Sequence, residues 1–222
     1  MNRELRIIQA NMKKCREAQH ALHNDEALTD FHFILGQEPY WLAGSNPRWM
    51  RFVPMGRKQR FPPVRSCIWA SRELAATQLR VDSADITAVV AHVGQRRLMI
   101  VSVYIPDRCS RRTKEENLEE LSSRLEMINS LIQGELLRDP HTEVVIAGDF
   151  NRHNPLWGGS HISTTLTQEE SAPIIDFMAD RSLQSLLPVG VPTFESDAGR
   201  TSTIDLILAT PGLARQQAGN IQ

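Results

Sequence analysis

The sequence predicts an α+β chain, a two-layered β-sandwich flanked by helices, and three observations lead there. Apolar strand-like and helical segments interleave along the chain, with a strand meander near the middle. Val144-Val145-Ile146-Ala147 is a run of β-branched and small apolar residues, the pattern of a strand buried on both faces. Leu118, Leu121, Leu125, Ile128, Ile132 and Leu136 recur at helical spacing and draw a single buried stripe. At 222 residues the chain is long enough for one domain, 1–222, with a well-buried core.

Composition is that of an ordinary globular protein, without an apolar run of membrane-spanning length. Met1 to Arg6 has no apolar signal-peptide region, so a secreted protein is not expected. The three cysteines, Cys15, Cys67 and Cys109, are widely spaced and suit a reducing, intracellular compartment. A formal net charge of −1 announces no nucleic-acid partner by itself. The distribution of charge says more.

In order, Leu5 to Ile8 reads as a first strand that delivers Asn11 just past its end. A helix is expected from about Cys15 to Leu28, with Ala18, Ala21 and Leu22 inward. Phe31 to Leu35 reads as a second strand, stopped by Pro39 so that Glu38 sits at its rim. Glu38 there is either a solvated strand-end charge or a hard ligand for a metal. Between Pro39 and Arg72 there is no acidic residue. The same stretch carries Arg48, Arg51, Arg57, Lys58, Arg60, Arg65 and Arg72 among Trp41, Trp49, Phe52, Phe61 and Trp69. Cations beside flat rings fit a nucleic-acid surface, with Arg57, Lys58 and Arg60 on phosphates; Trp69, in a strand-like run, is expected in the core.

Thr77 to Val81, Ile86 to Val93 and Arg97 to Tyr104 form the meander, with a tight turn at Gly94-Gln95. The last strand brings Tyr104 to its end. A basic loop with Arg108, Arg111, Arg112 and Lys114 follows, and the long helix opens on the capping box Thr113-x-x-Glu116. Thr167 to Arg181 reads as a further helix, and Ser202 to Leu208 as a strand holding Asp205, a carboxylate that needs a partner to offset its desolvation.

The signature strand breaks at Gly148 and presents Asp149 and Asn151. Two residues apart in an extended chain, these side chains point the same way. The carboxylate can take a proton from water, and the amide can donate to a developing oxyanion. The pair would equally suit an Asx turn ending a strand. The polar loop from Arg152 to Gly159, with His153, Trp157 and paired glycines, is more elaborate than such a turn requires.

GDFNRHNPLWGG, Gly148 to Gly159, resembles the signature of the endonuclease/exonuclease/phosphatase superfamily. More narrowly it is similar to the apurinic-endonuclease-like nuclease domain of non-LTR retrotransposons. The resemblance runs from Leu5 to about Leu208, with the Gln37-Glu38-Pro39-Tyr40 and Pro192-Thr193-Phe194 motifs in family order. It implies the DNase I-like form of the sandwich and hydrolysis of a DNA phosphodiester. Glu38, helped by Asn11, would hold Mg²⁺ or Mn²⁺, which the absence of soft ligands at zinc spacing also favours. Asp149 would activate water, Asn151 and Tyr104 would hold the phosphate, and Asp205 would complete the catalytic set. Arg57, Lys58, Arg60, Arg108, Arg111, His153, Trp157 and Thr193 are expected to contact substrate.

The implied partner is double-stranded DNA, with a reverse transcriptase domain in the same polyprotein. Cleavage would leave 3′-hydroxyl and 5′-phosphate ends, and action on chromosomal DNA implies the nucleus. Family members close with a Ser-Asp-His strand beyond the position of Asp205. No such motif follows here, which predicts a C-terminally truncated domain without its last strand. Three readings therefore stand: a nicking endonuclease, the same fold as a binding module or relic, and a phosphatase or sphingomyelinase branch.

Overall fold

In the computed structural model the elements follow in chain order. They are β1 (Ile7–Asn11), α1 (Arg16–Asn24), β2 (Phe33–Gln37), β3 (Trp49–Phe52), β4 (Ser66–Ser71), β5 (Ala76–Leu79), β6 (Ile86–Val93) and β7 (Arg96–Tyr104). Then come α2 (Lys114–Arg138), β8 (Glu143–Asp149), α3 (Pro155–Gly158), α4 (Thr165–Asp180), β9 (Gln184–Ser185), β10 (Phe194–Glu195), β11 (Thr201–Ser202), β12 (Asp205–Ala209) and α5 (Pro211–Gln217). The structure describes residues 4–40, 46–54, 64–160, 162, 165–196 and 198–217. Arg57, Lys58 and Arg60 lie outside the described residues, as do Trp41, Phe61 and His161. Two compact units divide the chain: Met1–Tyr104 with Gly134–Gly148, and Ile105–Gln133 with Asp149–Gln222.

The first unit contains the sandwich. One sheet has the order β1-β2-β4-β3, and the facing sheet runs β5-β6-β7-β8. β1 and β2 are parallel, with Asn11 beside Gln37, whereas β2, β3 and β4 pair antiparallel. The period of two along β2 and β4 sorts the residues by face. Ile34, Cys67 and Trp69 join Met12, Leu28 and Trp49 in one buried cluster, packed against Leu22 of α1. On the other face the sheets meet through a polar seam: Gln37 Nε2 donates to Ser102 Oγ at 2.9 Å, Ser66 Oγ to Ser102 O at 2.8 Å, and Thr87 Oγ1 to Ser66 O at 3.1 Å. Each buried hydroxyl or amide in that seam is satisfied, which fixes the register of one layer on the other. The α+β sandwich with flanking helices is the fold the sequence predicts.

Helix α1 differs from its expected face and length. Ala18 and Ala21 are exposed, and Gln19 is buried, with Leu22 and His23 half-buried beside it. Alanine gains little from burial, so the larger side chains set the rotation, and the His23 ring meets Trp69 edge-on at 4.6 Å. The helix ends at Asn24 because Asp25 turns away and caps a short 3₁₀ turn, Glu26–Leu28, its Oδ1 accepting from Ala27 N–H at 2.9 Å.

Strand β3 was not expected. Its Trp49 is 1% exposed, so this ring and that of Trp69 belong to the core rather than to a stacking surface. Several cations of the same stretch are tied to the protein: Arg48 Nη1 to Asp25 O, Arg72 Nε to Asn46 O, and Arg65 to Asp85.

The long helix keeps its box, with Thr113 N–H donating to Glu116 Oε2 at 2.8 Å and Glu116 N–H to Thr113 Oγ1 at 3.1 Å. Leu121, Leu125, Ile128 and Ile132 are buried as the stripe requires. Leu136 is only half-buried, and Glu135 takes the buried position instead. That carboxylate is held by Arg97 Nη2 at 2.5 Å and by Arg138.

In the second unit, β10 and β11 form a hairpin, and β12 pairs antiparallel with β9 through Leu208–Ser185 and Ala209–Gln184. The strand of Asp205 thus has a short neighbour along its far end.

Candidate active site

In the first unit, parallel pairing of β1 with β2 carries Asn11 to the rim where Glu38 stands. Glu38 has φ 44°, left-handed for a non-glycine residue, and the surrounding backbone holds it there. Its N–H donates to Arg65 O at 2.9 Å, and its carbonyl accepts from Lys14 N–H at 2.8 Å. The Glu38 side chain is 21% exposed, and Lys14 Nζ lies 3.5 Å from its Oε1. Lys13 and Lys14 are also left-handed, and Asn11 Oδ1 accepts from Lys13 N–H at 2.9 Å. The donors at this rim are a carboxylate and a carboxamide, hard oxygens only. Among the described residues no group of three or more His, Cys, Asp or Glu could hold a metal. Hard oxygens of this kind are the donors that Mg²⁺ or Mn²⁺ takes.

Tyr104 ends β7, its N–H donating to Asp85 O at 2.9 Å. The Arg65 guanidinium carbon sits 5.3 Å from the centroid of its ring. Asp85, 3% exposed, holds that guanidinium through Oδ2 at 2.8 Å and Oδ1 at 2.5 Å. The sequence placed Arg65 in a basic, aromatic stretch that fits a nucleic-acid surface, with phosphate contact expected of Arg57, Lys58 and Arg60. Nothing local shows that its partner lies twenty residues on.

In the second unit Asp149 is 5% exposed, and its Oδ1 accepts from Asn151 N–H at 3.0 Å. The strand ends at Asp149, and Asn151 has φ 47°, so the two side chains are not presented by an extended chain as the spacing suggested. The Asx geometry and the polar loop, alternatives at the level of sequence, occur together. Asn151 Nδ2 donates to Ile105 O at 3.0 Å, and Phe150 N–H donates to Ile204 O at 2.9 Å, setting Asp205 beside the signature residues. Thr193 Oγ1 accepts from both Ile204 N–H and Asp205 N–H at 3.0 Å. Asp205, 8% exposed, opens β12 rather than lying at a strand centre.

The loop after Asn151 folds on itself. Trp157, expected at the substrate, is 2% exposed, and its indole N–H donates to Arg152 O at 3.0 Å. Arg152 is buried too, Nη1 donating to Pro106 O at 3.1 Å and Asn151 O at 2.9 Å; burial lowers its pKa. Asn154, overlooked in the sequence, caps α3 by accepting from Leu156 N–H at 2.9 Å and donates to Ser171 Oγ of α4 at 2.7 Å. An Asn-Pro pair before a short apolar run is the signal that could have found it. His153 is half-buried, and burial, then Arg108, hold its imidazole below the usual range. Arg108 is ion-paired to Glu170 at 2.8 Å, and Arg111 is exposed.

Mixed sheets packed against helices make this an α+β fold of the DNase I-like class, in keeping with its structural neighbours. The chain belongs to the endonuclease-reverse transcriptase family of endonuclease/exonuclease/phosphatase proteins, whose model matches residues 98–221. No curated protein matches it in sequence. Among solved structures, the endonuclease domain of TRAS1, a telomere-specific non-LTR retrotransposon, is 20% identical over 94% of this chain and 86% of that one, with a TM-score of 0.66. The AP endonuclease LMAP from Leishmania major is 13% identical over 94% and 79%, TM-score 0.69. A beta toxin from Staphylococcus aureus, its beta hairpin deleted, is 9% identical over 94% and 87%, TM-score 0.65. At such identities the likeness establishes the fold. No helix among the described residues is long and apolar enough to cross a membrane.

Proposed function

We propose that this chain is a DNA-nicking endonuclease domain that hydrolyses phosphodiesters with Mg²⁺ or Mn²⁺ and leaves 3′-hydroxyl ends. The observation that carries the reading is Asp149, a carboxylate on a buried strand end whose Oδ1 is oriented by Asn151 N–H at 3.0 Å. Such a carboxylate would orient water and accept its proton. Asn151 and Tyr104 would hold the phosphate oxygens, and Asp205, steadied by Thr193, would complete the set. Glu38 and Asn11 would hold the divalent ion, which when bound neutralises charge on the phosphate and leaving oxygen. Arg57, Lys58, Arg60, Arg108, Arg111 and His153 would track duplex DNA. Trp157, being buried, would shape the loop that does so.

The retrotransposon neighbour and the family's description support a reverse transcriptase in the same polyprotein and a nuclear site of action. Nicking of supercoiled plasmid in Mg²⁺ tests the activity, and polymerase extension of the nick tests the 3′-hydroxyl. Asp149→Ala should lower the rate by about 10²–10⁴-fold. Equal nicking by wild type and Asp149→Ala would remove the proposal.

One observation favours the second reading, a module that binds DNA without turnover. Lys14 already pairs with the carboxylate that would take the metal, at 3.5 Å. Duplex binding with no nicking at any divalent-ion concentration would decide for that reading.

A further inference from the structure

Arg65 sits where two expected site residues of the first unit are held. Its N–H donates to Ala84 O at 3.0 Å, and its carbonyl accepts from Glu38 N–H at 2.9 Å. Its guanidinium is ion-paired to the buried Asp85, Nη2 donating to Oδ2 at 2.8 Å, and lies over the Tyr104 ring, 5.3 Å from the centroid. The backbone closes the circuit, because Asp85 O accepts from Tyr104 N–H at 2.9 Å and Asp85 N–H donates to Ser83 Oγ at 3.1 Å.

An ion pair that served stability alone would have no need of a ring beneath its cation. A guanidinium is suited to both tasks at once: it is planar, binds a carboxylate with two parallel contacts and keeps a face for an aromatic ring. An ammonium, a compact point charge, has neither the planar fork nor the flat face. The side chain is 29% exposed, so the stacked face is partly screened from water, where cation–π attraction is stronger.

We propose that Arg65 is a positioning residue for Tyr104, holding the tyrosine ring in one orientation at its strand end and linking that orientation to the backbone of Glu38. Arg65 makes no contact with DNA in this role; it acts through Tyr104. The catalytic consequence rests on the nuclease reading, in which the Tyr104 hydroxyl meets a phosphate oxygen. The orientation itself does not depend on that reading.

Removing Arg65 alone would strand a buried carboxylate, so the test replaces the pair with a neutral one, Arg65→Gln with Asp85→Asn. The chain has two tyrosines, Tyr40 and Tyr104, so ring-labelled tyrosine with Tyr40→Phe assigns the Tyr104 resonances. These should move and broaden in the neutral-pair variant while the rest of the spectrum stays. In plasmid nicking, kcat should fall about tenfold with KM within about twofold. In a Tyr104→Phe background the same pair exchange should cost less than about twofold, because the group it acts through is gone. Unchanged Tyr104 resonances, or losses that multiply in the combined variant, would overturn the inference. Should the neutral pair fail to fold, Arg65→Lys keeps the ion pair but loses the stacked fork, and the same shifts are expected of it. If wild type does not nick, the nuclease reading fails, and the resonances alone decide whether Arg65 orients the ring.

Discussion

Lys14 Nζ stands 3.5 Å from Glu38 Oε1, so the proposed metal carboxylate carries a cationic neighbour from its own chain. A divalent ion arriving at Glu38 meets that charge. Lys14→Met should therefore tighten Mn²⁺ binding. The Lys14 side chain is 62% exposed, which limits the gain to a few-fold at low ionic strength, fading as salt screens the pair. Titration calorimetry with Mn²⁺ at two salt concentrations measures it, with Glu38→Ala as the baseline. Equal affinity in Lys14→Met and wild type would mean that the ion does not meet the ammonium.

Gly148 is required by the approach of two strands in the first unit. A Cβ added there would lie 1.8 Å from Val103 O, a backbone atom that cannot swing aside. Gly148→Ala should destabilise the protein by at least ~3 kcal/mol, at or beyond the upper end of ordinary overpacking. Urea unfolding reads the loss as a lower midpoint. A change below about 0.5 kcal/mol would show that β8 can move off β7 at little cost.

How much of this could be read in the sequence depended on the range of the interaction. The buried strand at Val144–Ala147, the meander, the capping box of α2 and the strand-end positions of Glu38 and Tyr104 rest on neighbours within a few residues. Periodicity and capping report those neighbours directly. The partners of Arg65, Asp85 and Tyr104, were not legible because they belong to the other sheet and reach it only where the two sheets pack. Trp49 was misread for the same reason: basic neighbours in sequence hid a ring that tertiary packing encloses. The fixed geometry of Asn151 also escaped, since a single left-handed residue overrides the alternation of an extended chain.

His23 gives the fold a pH response. Burial, then the nearby charges of His20 and Arg51, push its imidazole down to about 4 from an ordinary 6.5. A base with a depressed folded pKa binds its proton more readily once unfolded. Its share of stability is thus complete above pH 6.5 and is lost as the pH falls towards 4. After discounting for partial solvent access the share is about 1–2 kcal/mol. Comparing unfolding free energies at neutral pH and near pH 4 should show His23→Phe losing less than wild type. Parallel pH curves for the two proteins would shift the acid sensitivity to other groups.

Thr193 decides between a structural and a substrate-facing role at the start of β12. Its Oγ1 accepts two successive N–H groups, those of Ile204 and Asp205, each at 3.0 Å. A valine has the same shape but no acceptor, and it would leave both donors without this partner. Thr193→Val should therefore cost about 1–3 kcal/mol, whereas Thr193→Ser, which keeps the oxygen, should cost less than about 1 kcal/mol. Urea unfolding measures both. Nicking assayed well below the unfolding temperature then separates the roles. If the hydroxyl only steadies the backbone of Asp205, both variants should keep KM, and the valine should lower kcat by loosening the carboxylate. A raised KM in the valine variant, restored by serine, would instead assign the hydroxyl to the DNA. The two hydrogen bonds already made favour the first outcome, because an oxygen accepting from two amides has little capacity left to accept from substrate, although its own proton remains to donate.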